Sequence, residues 1–87
     1  MQTSYVFHSD PGHGWLQVPL AELDALGIAE QISRYSYRKG DSAFLEEDCD
    51  LSVFMQAKRE RGEPVEFLEA FKETTPVRDY PSFFWIN

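Results

Sequence analysis

Cysteine is almost absent from this sequence, because Cys49 is the only one among the 87 residues. A single cysteine excludes an internal disulfide framework and is typical of a protein from a reducing compartment, so we expect the cytoplasm. No apolar run approaches the roughly 20 residues that a membrane-spanning helix requires. The first residues also lack the basic and apolar segments of a signal peptide, so we expect neither export nor contact with a membrane.

Basic residues are also scarce. Eight Lys and Arg residues stand against fifteen acidic ones, which gives a formal net charge of −7. Proteins that bind a nucleic-acid duplex gain much of their affinity by neutralising phosphates with Lys and Arg. The charge therefore predicts no direct nucleic-acid binding, and it favours a protein or ribonucleoprotein partner with a basic groove. The alternative is that the acidity serves only solubility.

The length indicates one domain, residues 1–87, with a core rich in aromatic rings. Residues 4–8 and 15–18 alternate around the glycine-rich turn at 10–14, which predicts a first β-hairpin. Residues 32–37 and 43–46 predict a second. A short helix between the hairpins begins at Pro19 and ends at Gly27.

Two further helices are predicted at residues 50–61 and 64–74 from apolar residues at helical spacing. Separate hairpins and helices indicate the α+β class, with a small antiparallel sheet of roughly three to five strands and two or three helices on one face. The tail at 77–87 adds an edge strand or packs across the helices, since Tyr80, Phe83, Phe84, Trp85 and Ile86 make it apolar. The predicted core residues in the last two helices are Leu51, Phe54, Phe67, Leu68 and Phe71.

His8, Asp10 and His13 are spaced so that they could ligate a metal. A structural zinc site uses four ligands, and Cys49 is remote in the chain, so the sequence predicts no metal and no cofactor. The alternative is a polar turn in which Asp10 bonds its own backbone. Cys49 lies between carboxylates, which raise the pKa of a thiol and disfavour a nucleophile, so we expect no enzymatic activity.

The acidic cluster, residues 46–50, places four carboxylates where a predicted strand meets a predicted helix. Its spacing does not fit a helix–loop–helix calcium site. One interpretation is that Asp48 or Asp50 caps the helix. The other is that the cluster contacts Arg or Lys residues of a partner. The predicted partner-binding residues are Glu46, Glu47, Asp48 and Asp50, with Trp15 as an aromatic contact.

Three segments carry a resemblance: Asp-Pro-Gly-His-Gly-Trp-Leu at 10–16, Tyr-Ser-Tyr at 35–37 and Leu-Glu-Glu-Asp-Cys-Asp at 45–50. Over roughly residues 5–55 the chain resembles a group of small, uncharacterised acidic proteins carried by bacteriophages, prophages and plasmids. The resemblance implies a mobile-element setting, where short acidic proteins often inhibit host defence, as anti-CRISPR and anti-restriction proteins do. Taken with the net charge of −7 and the acidic cluster, this setting leads us to expect an inhibitor that occupies a basic surface of a nucleic-acid-handling complex in the host cytoplasm. The alternative is a phage or plasmid structural or regulatory module, homodimeric through its aromatic tail.

Overall fold

A five-stranded sheet with two α-helices forms the structure, a computed structural model that describes residues 2–85. The strands lie in the order β3-β4-β2-β1-β5. Short 3₁₀ turns occupy Ala29–Gln31 and Pro76–Asp79. This architecture confirms the predicted α+β class. The strands and helices are β1 Ser4–Ser9, β2 Gly14–Pro19, α1 Leu20–Ala25, β3 Tyr37–Lys39, β4 Ser42–Glu46, α2 Leu51–Glu60 and β5 Glu66–Phe71.

Both predicted hairpins are present and antiparallel. β1 pairs with β2, with Phe7 opposite Leu16, and β3 pairs with β4, with Tyr37 opposite Phe44. β2 and β4 join the two hairpins in a further antiparallel pair. The second hairpin is shorter than predicted, because residues 32–36 form a loop and the strand begins at Tyr37. Neither helix within residues 2–85 has the length and apolar character that crossing a bilayer demands.

The helix predicted at residues 64–74 is wrong, because this segment forms β5. It pairs in parallel with β1, so the sheet is mixed and not purely antiparallel. The apolar residues Phe67 and Phe71 are four positions apart, which suits one face of a helix and equally one face of a strand. The backbone edge along β1 decides between the two, since the carbonyls of Thr3 and Ser9 accept hydrogen bonds from the N–H groups of Glu66 and Lys72.

The main core lies between the sheet and the two helices. Alternation along the strands points Leu16 and Leu45 toward this side, where α2 contributes Phe54. Phe54 is fully buried and meets the ring of Tyr5 edge-on at 5.2 Å between centroids. Of the other residues predicted in the core, Leu51 and Phe67 pack against it and are half-buried. Leu68 and Phe71 are not core residues, because β5 is an edge strand and leaves them 48% and 58% exposed.

The C-terminal segment, residues 72–85, covers part of the opposite face of the sheet. Its Val77 packs with Trp15 and Phe44 in a second, smaller cluster. Residues 81–83 then run along the edge of β3, where Phe83 donates its N–H to the Ser36 carbonyl at 2.8 Å. Phe83 inserts into the main core, so this part of the aromatic tail is folded onto its own domain. Ile86, predicted in the same tail, lies outside the described residues.

A buried ammonium group joins the helices to the sheet. Lys58 of α2 is 1% exposed, and its Nζ donates to Glu22 of α1 at 2.7 Å, to Tyr5 of β1 at 2.9 Å and to Glu63 at 2.8 Å. The Tyr5 hydroxyl in turn donates to Glu22 at 2.8 Å. Burial by itself lowers the pKa of Lys58, but the hydrogen bonds to Glu22, Glu63 and Tyr5 outweigh it and leave that pKa raised. Burial also raises the pKa of Tyr5 to about 12.

Replacing Phe54 with alanine tests the main core. Because the ring is fully buried, we expect Phe54→Ala to lower the free energy of unfolding by about 3–5 kcal/mol. The matched control is Phe71→Ala, which removes an equal ring from the exposed edge and should change stability by no more than about 0.5 kcal/mol. Urea unfolding followed by tryptophan fluorescence measures both. Equal losses in the two variants would contradict the assignment of core and edge.

Candidate binding site beside the first hairpin turn

A cavity of about 310 Å³ lies on the face of the sheet opposite the helices. Four parts of the chain form it: the β1–β2 turn with the start of β2, the loop into β3, the connection from β4 to α2, and the 3₁₀ turn of the C-terminal segment. The segments at 10–16, 35–37 and 45–50 therefore meet around one site. The lining residues are His13, Trp15, Tyr35, Tyr37, Glu46, Asp48, Cys49 and Arg78.

An ion pair between Asp10 and Arg78 holds one side of the cavity. Asp10 accepts hydrogen bonds from the backbone N–H groups of Gly12 at 2.9 Å and His13 at 3.0 Å, which confirms the predicted turn. Arg78 donates to the same carboxylate twice, through Nε at 2.6 Å and Nη2 at 2.9 Å. The hydrogen bonds from Arg78 hold the pKa of Asp10 well below its usual range. The pair ties the C-terminal segment to the first hairpin.

Asp50 holds the side of the cavity opposite the Asp10–Arg78 pair. Its carboxylate accepts hydrogen bonds from the Ser33 N–H at 3.0 Å, from the Ser33 hydroxyl at 2.7 Å and from the Ser36 hydroxyl. Ser36 Oγ accepts the N–H of Glu46 at 3.0 Å, so one network fixes the loop against β4. Asp50 precedes α2, but its side chain makes no capping bond, which corrects that part of the prediction. It is 2% exposed and offers no surface to a partner.

Two other predicted contacts are also buried. Glu46 has a side chain that is 10% exposed, and its Oε2 accepts the backbone N–H of Asp48 at 2.8 Å. Trp15 is 2% exposed, and its ring forms an inner wall of the cavity under the Arg78 guanidinium, 5.3 Å from the ring centroid. Glu47 and Asp48 are the members of the predicted set whose side chains are exposed. Their contact with a partner remains a prediction.

Gly14 allows the turn and the acidic cluster to come together. A Cβ at this position would lie 2.3 Å from Cζ of Phe7, a distance that no side chain tolerates. The Gly14 carbonyl accepts the N–H of Glu47 at 3.0 Å, so the start of β2 lies directly against the cluster. Any larger residue at Gly14 would displace Phe7, which packs against the main core on the other face of the sheet.

The metal-ligand set considered from the sequence does not assemble. Nε2 of His8 bonds Oε1 of Gln17 at 2.8 Å, and Asp10 is occupied by Arg78. A different set does converge: His13, Glu46 and Asp48 place one ligand atom each within 4.8 Å of one another. Trp15 pairs with Glu46 across β2 and β4, and this register brings the turn to the cluster. Three groups at a partly exposed site are fewer than the four of a structural zinc site.

Cys49 lies at the rim of the cavity with an exposed side chain. Partial desolvation raises the pKa of its thiol, and the carboxylates of Glu46, Asp50 and Asp48 raise it further. The predicted effect of the neighbouring acids is therefore confirmed. A thiol held in its neutral form is a poor nucleophile, so the arrangement does not favour covalent catalysis.

The cavity combines carboxylates with aromatic rings. Tyr35 is 73% exposed at its entrance, Tyr37 is half-buried, and the acids Glu46 and Asp48 lie beside them. Carboxylates and ring faces both attract cations, so this surface suits a Lys or Arg side chain. Comparison of the chain with protein-family models, with curated proteins and with solved structures finds no match.

The Asp10–Arg78 pair predicts a pH-dependent coupling. Because the pKa of Asp10 is lowered in the folded state, its stabilisation is present above the unfolded value of about 3.9 and is lost as the pH falls below it. A double-mutant cycle of Asp10→Asn and Arg78→Met, measured by urea unfolding, should show a coupling free energy that is constant above about pH 5. It should decline below about pH 4. A coupling that does not change with pH would contradict a charge-based clamp.

We expect the purified protein to contain no stoichiometric zinc, since His13, Glu46 and Asp48 supply three ligands and no closed shell. Elemental analysis after dialysis against zinc measures this, with the His13→Ala variant as the control. An equimolar zinc content that is lost in His13→Ala would contradict the prediction.

Proposed function

We propose that this protein is a non-enzymatic binding domain that docks onto a basic surface of a partner through the rim of the cavity. The observation that carries the proposal is the meeting of Glu46, Asp48 and the exposed ring of Tyr35 at one concave site. The Asp48 carboxylate is exposed and available to form a charge-assisted hydrogen bond with an incoming Arg or Lys. Glu46, mostly buried behind it, adds negative potential.

The domain itself contains an example of the interaction that we infer. Arg78 lies over the ring of Trp15 while its guanidinium pairs with a carboxylate, Asp10. A partner arginine that stacks on Tyr35 and bonds Asp48 would repeat this combination of ring and acid. Arginine suits such a site better than lysine, because its planar group stacks and forms two parallel hydrogen bonds.

The overall charge supports a basic partner. The buried acids are Asp10, Glu22, Glu46 and Asp50, so most of the fifteen acidic residues lie at or near the surface. A net charge of −7 increases the rate of encounter with a positively charged groove. A groove that handles nucleic acid is positive, and an acidic protein competes with nucleic acid for it.

With the resemblance described above, we propose further that the partner is a nucleic-acid-handling complex of host defence, such as a CRISPR effector, and that the protein inhibits it in the host cytoplasm.

The alternative, a phage or plasmid interaction module that dimerises through its tail, rests on Phe84, which is 52% exposed. Phe83 is buried, and the Arg38 guanidinium lies 4.7 Å from the Phe84 ring centroid, so up to residue 85 the tail offers little free surface to a second copy.

The test neutralises the two exposed carboxylates of the acidic cluster, with the substitutions Glu47→Gln and Asp48→Asn. Both side chains keep their size and their hydrogen-bonding oxygen, so the fold should persist while binding weakens by about tenfold and depends less on salt. The matched control removes two exposed acids elsewhere, Asp24 on α1 and Asp41 in the β3–β4 turn, with the corresponding amide substitutions. Each immobilised variant captures proteins from host lysate for quantitative mass spectrometry.

Recovery of a nucleic-acid-binding complex by the wild type and the control, but not by the Glu47/Asp48 variant, is the expected result. An equal loss in the control would mean that net charge acts diffusely and that the cavity rim is not the contact. Undiminished capture by both variants would contradict an acidic contact altogether.

A further inference from the structure

The two edges of the sheet differ. At one edge, β3 is covered by residues 81–83, which bond to Ser36 and Arg38. At the other edge, β5 has β1 on its inner side, and no strand of residues 2–85 lies on its outer side. An uncovered edge presents unpaired N–H and C=O groups that can pair with another extended chain.

The backbone of β5 shows which groups face outward. The N–H of Glu66 donates to the Thr3 carbonyl at 2.7 Å, and the N–H of Lys72 donates to the Ser9 carbonyl at 2.9 Å, so the even-numbered residues pair with β1. Because hydrogen bonding alternates along a strand, the N–H and C=O groups of Phe67, Glu69 and Phe71 point away from the sheet.

Natural edge strands are commonly protected by charged residues, lysine above all, by proline or by a bulge. β5 has no lysine, proline or bulge, its charged residues are both glutamates, and its six residues pair with β1 in an uninterrupted register. Its exposed surface is also apolar in part, with Leu68 at 48% and Phe71 at 58% exposed. The ring of Phe67 is stacked on Phe7 with centroids 5.3 Å apart, which keeps this side of the strand fixed.

The negative charge of β5 favours a basic chain over a second copy of the protein at this edge. Glu66 and Glu69 are the charged residues of β5, Glu73 follows closely, and Lys72 is the one cation beside them. Glu69 lies between Phe67 and Phe71 on one side of the strand and has no ion-pair or hydrogen-bond partner within residues 2–85. A second copy of the chain would bring glutamates against glutamates, which is unfavourable for directly opposed residues. An extended chain with a basic residue would be attracted instead.

We propose that the outer edge of β5 binds an extended segment of a partner polypeptide, which adds a sixth strand and places Lys or Arg opposite Glu69. Apolar residues two positions before and after that basic residue would contact Phe67 and Phe71. Main-chain hydrogen bonds from Phe67, Glu69 and Phe71 supply affinity, and the side-chain pattern supplies specificity. This surface lies across β1 from the cavity, so the proposal does not depend on the proposed function of the cavity.

The test uses a capped synthetic peptide, Thr-Val-Thr-Lys-Thr-Val-Thr, which carries valine, lysine and valine on one side when extended. At saturating peptide, NMR should show hydrogen exchange slowed by about tenfold or more at the amides of Phe67, Glu69 and Phe71. The amides of Leu68 and Ala70, already paired with β1, should not change. The matched control peptide has glutamate in place of lysine and should not bind. Equal binding of both peptides would overturn the role of charge.

Two variants at position 69 separate the contribution of the backbone N–H to peptide binding from that of the side-chain carboxylate. Glu69→Gln keeps the outward N–H and should weaken binding by about two- to fivefold. Glu69→Pro removes that N–H without affecting a bond to β1, since proline is accepted on the open side of an edge strand, and it should abolish binding. Thermal unfolding checks that this variant is folded.

The proposal is overturned if folded Glu69→Pro binds the lysine peptide as well as the wild type does, or if the three wild-type amides gain no protection. It is also overturned if the same amides become protected without peptide as protein concentration rises and sedimentation shows a dimer, because the occupant would then be a second copy. The wild-type exchange measurement decides the matter even if Glu69→Pro fails to fold.

Discussion

The ammonium group of Lys58 is buried where α2 meets α1 and β1, and the placement of both helices depends on its neutralisation. Glu22 from α1 and Tyr5 from β1 surround it, and Glu63 closes the site as the chain leaves α2. Removing one partner of a buried pair costs about 3–5 kcal/mol, a large part of the 5–15 kcal/mol that stabilises a typical domain. The network therefore restricts how α1 and α2 can dock on the sheet, because other arrangements would leave a charge buried and unpaired.

The opposite face of the sheet is organised by a second ion pair. Asp10 and Arg78 connect the first hairpin to the C-terminal segment, which contributes Val77 to the small cluster around Trp15. Asp50, buried among serine hydroxyls, then fixes the loop that carries Tyr35. The cavity between these two anchors is consequently a product of the fold, and its acidic rim projects from backbone that is hydrogen-bonded to other parts of the chain. Little conformational entropy is lost when a partner docks on such a surface.

The proposed contacts use the acidity of the protein in two ways. At the cavity, Asp48 and Tyr35 suit the end of a single cationic side chain. At β5, Glu69 lies between Phe67 and Phe71 beside open backbone groups, which suits a continuous extended segment. In these two proposals, the first surface recognises charge on a folded partner, and the second recognises an extended strand. Both disfavour acidic chains, including a second copy of this protein.

The sequence by itself determined the features that depend on neighbours within a few residues. Local chemistry accounts for the turn at residues 10–14 and for the ends of the two helices. α1 ends just before Gly27 and α2 just before Gly62, and these two glycines have positive φ, 72° and 68°. Charge and the acidic cluster were likewise visible, and Phe54 was identified as core. Tertiary structure alone decided the rest. Residues 66–71 became a strand because β1 offered an unpaired edge, although their apolar spacing also fitted a helix.

The sequence also did not indicate which charged side chains are buried. Lys58 is buried because Glu22, which lies 36 residues earlier, reaches it, and Asp50 turns inward because Ser33 and Ser36 supply donors. His13 joins Glu46 and Asp48 because β2 and β4 pair in one register. A carboxylate carries no local sign of whether it faces water or a partner within the chain. That choice depends on the balance of desolvation against hydrogen bonds from distant residues, which only the folded chain provides.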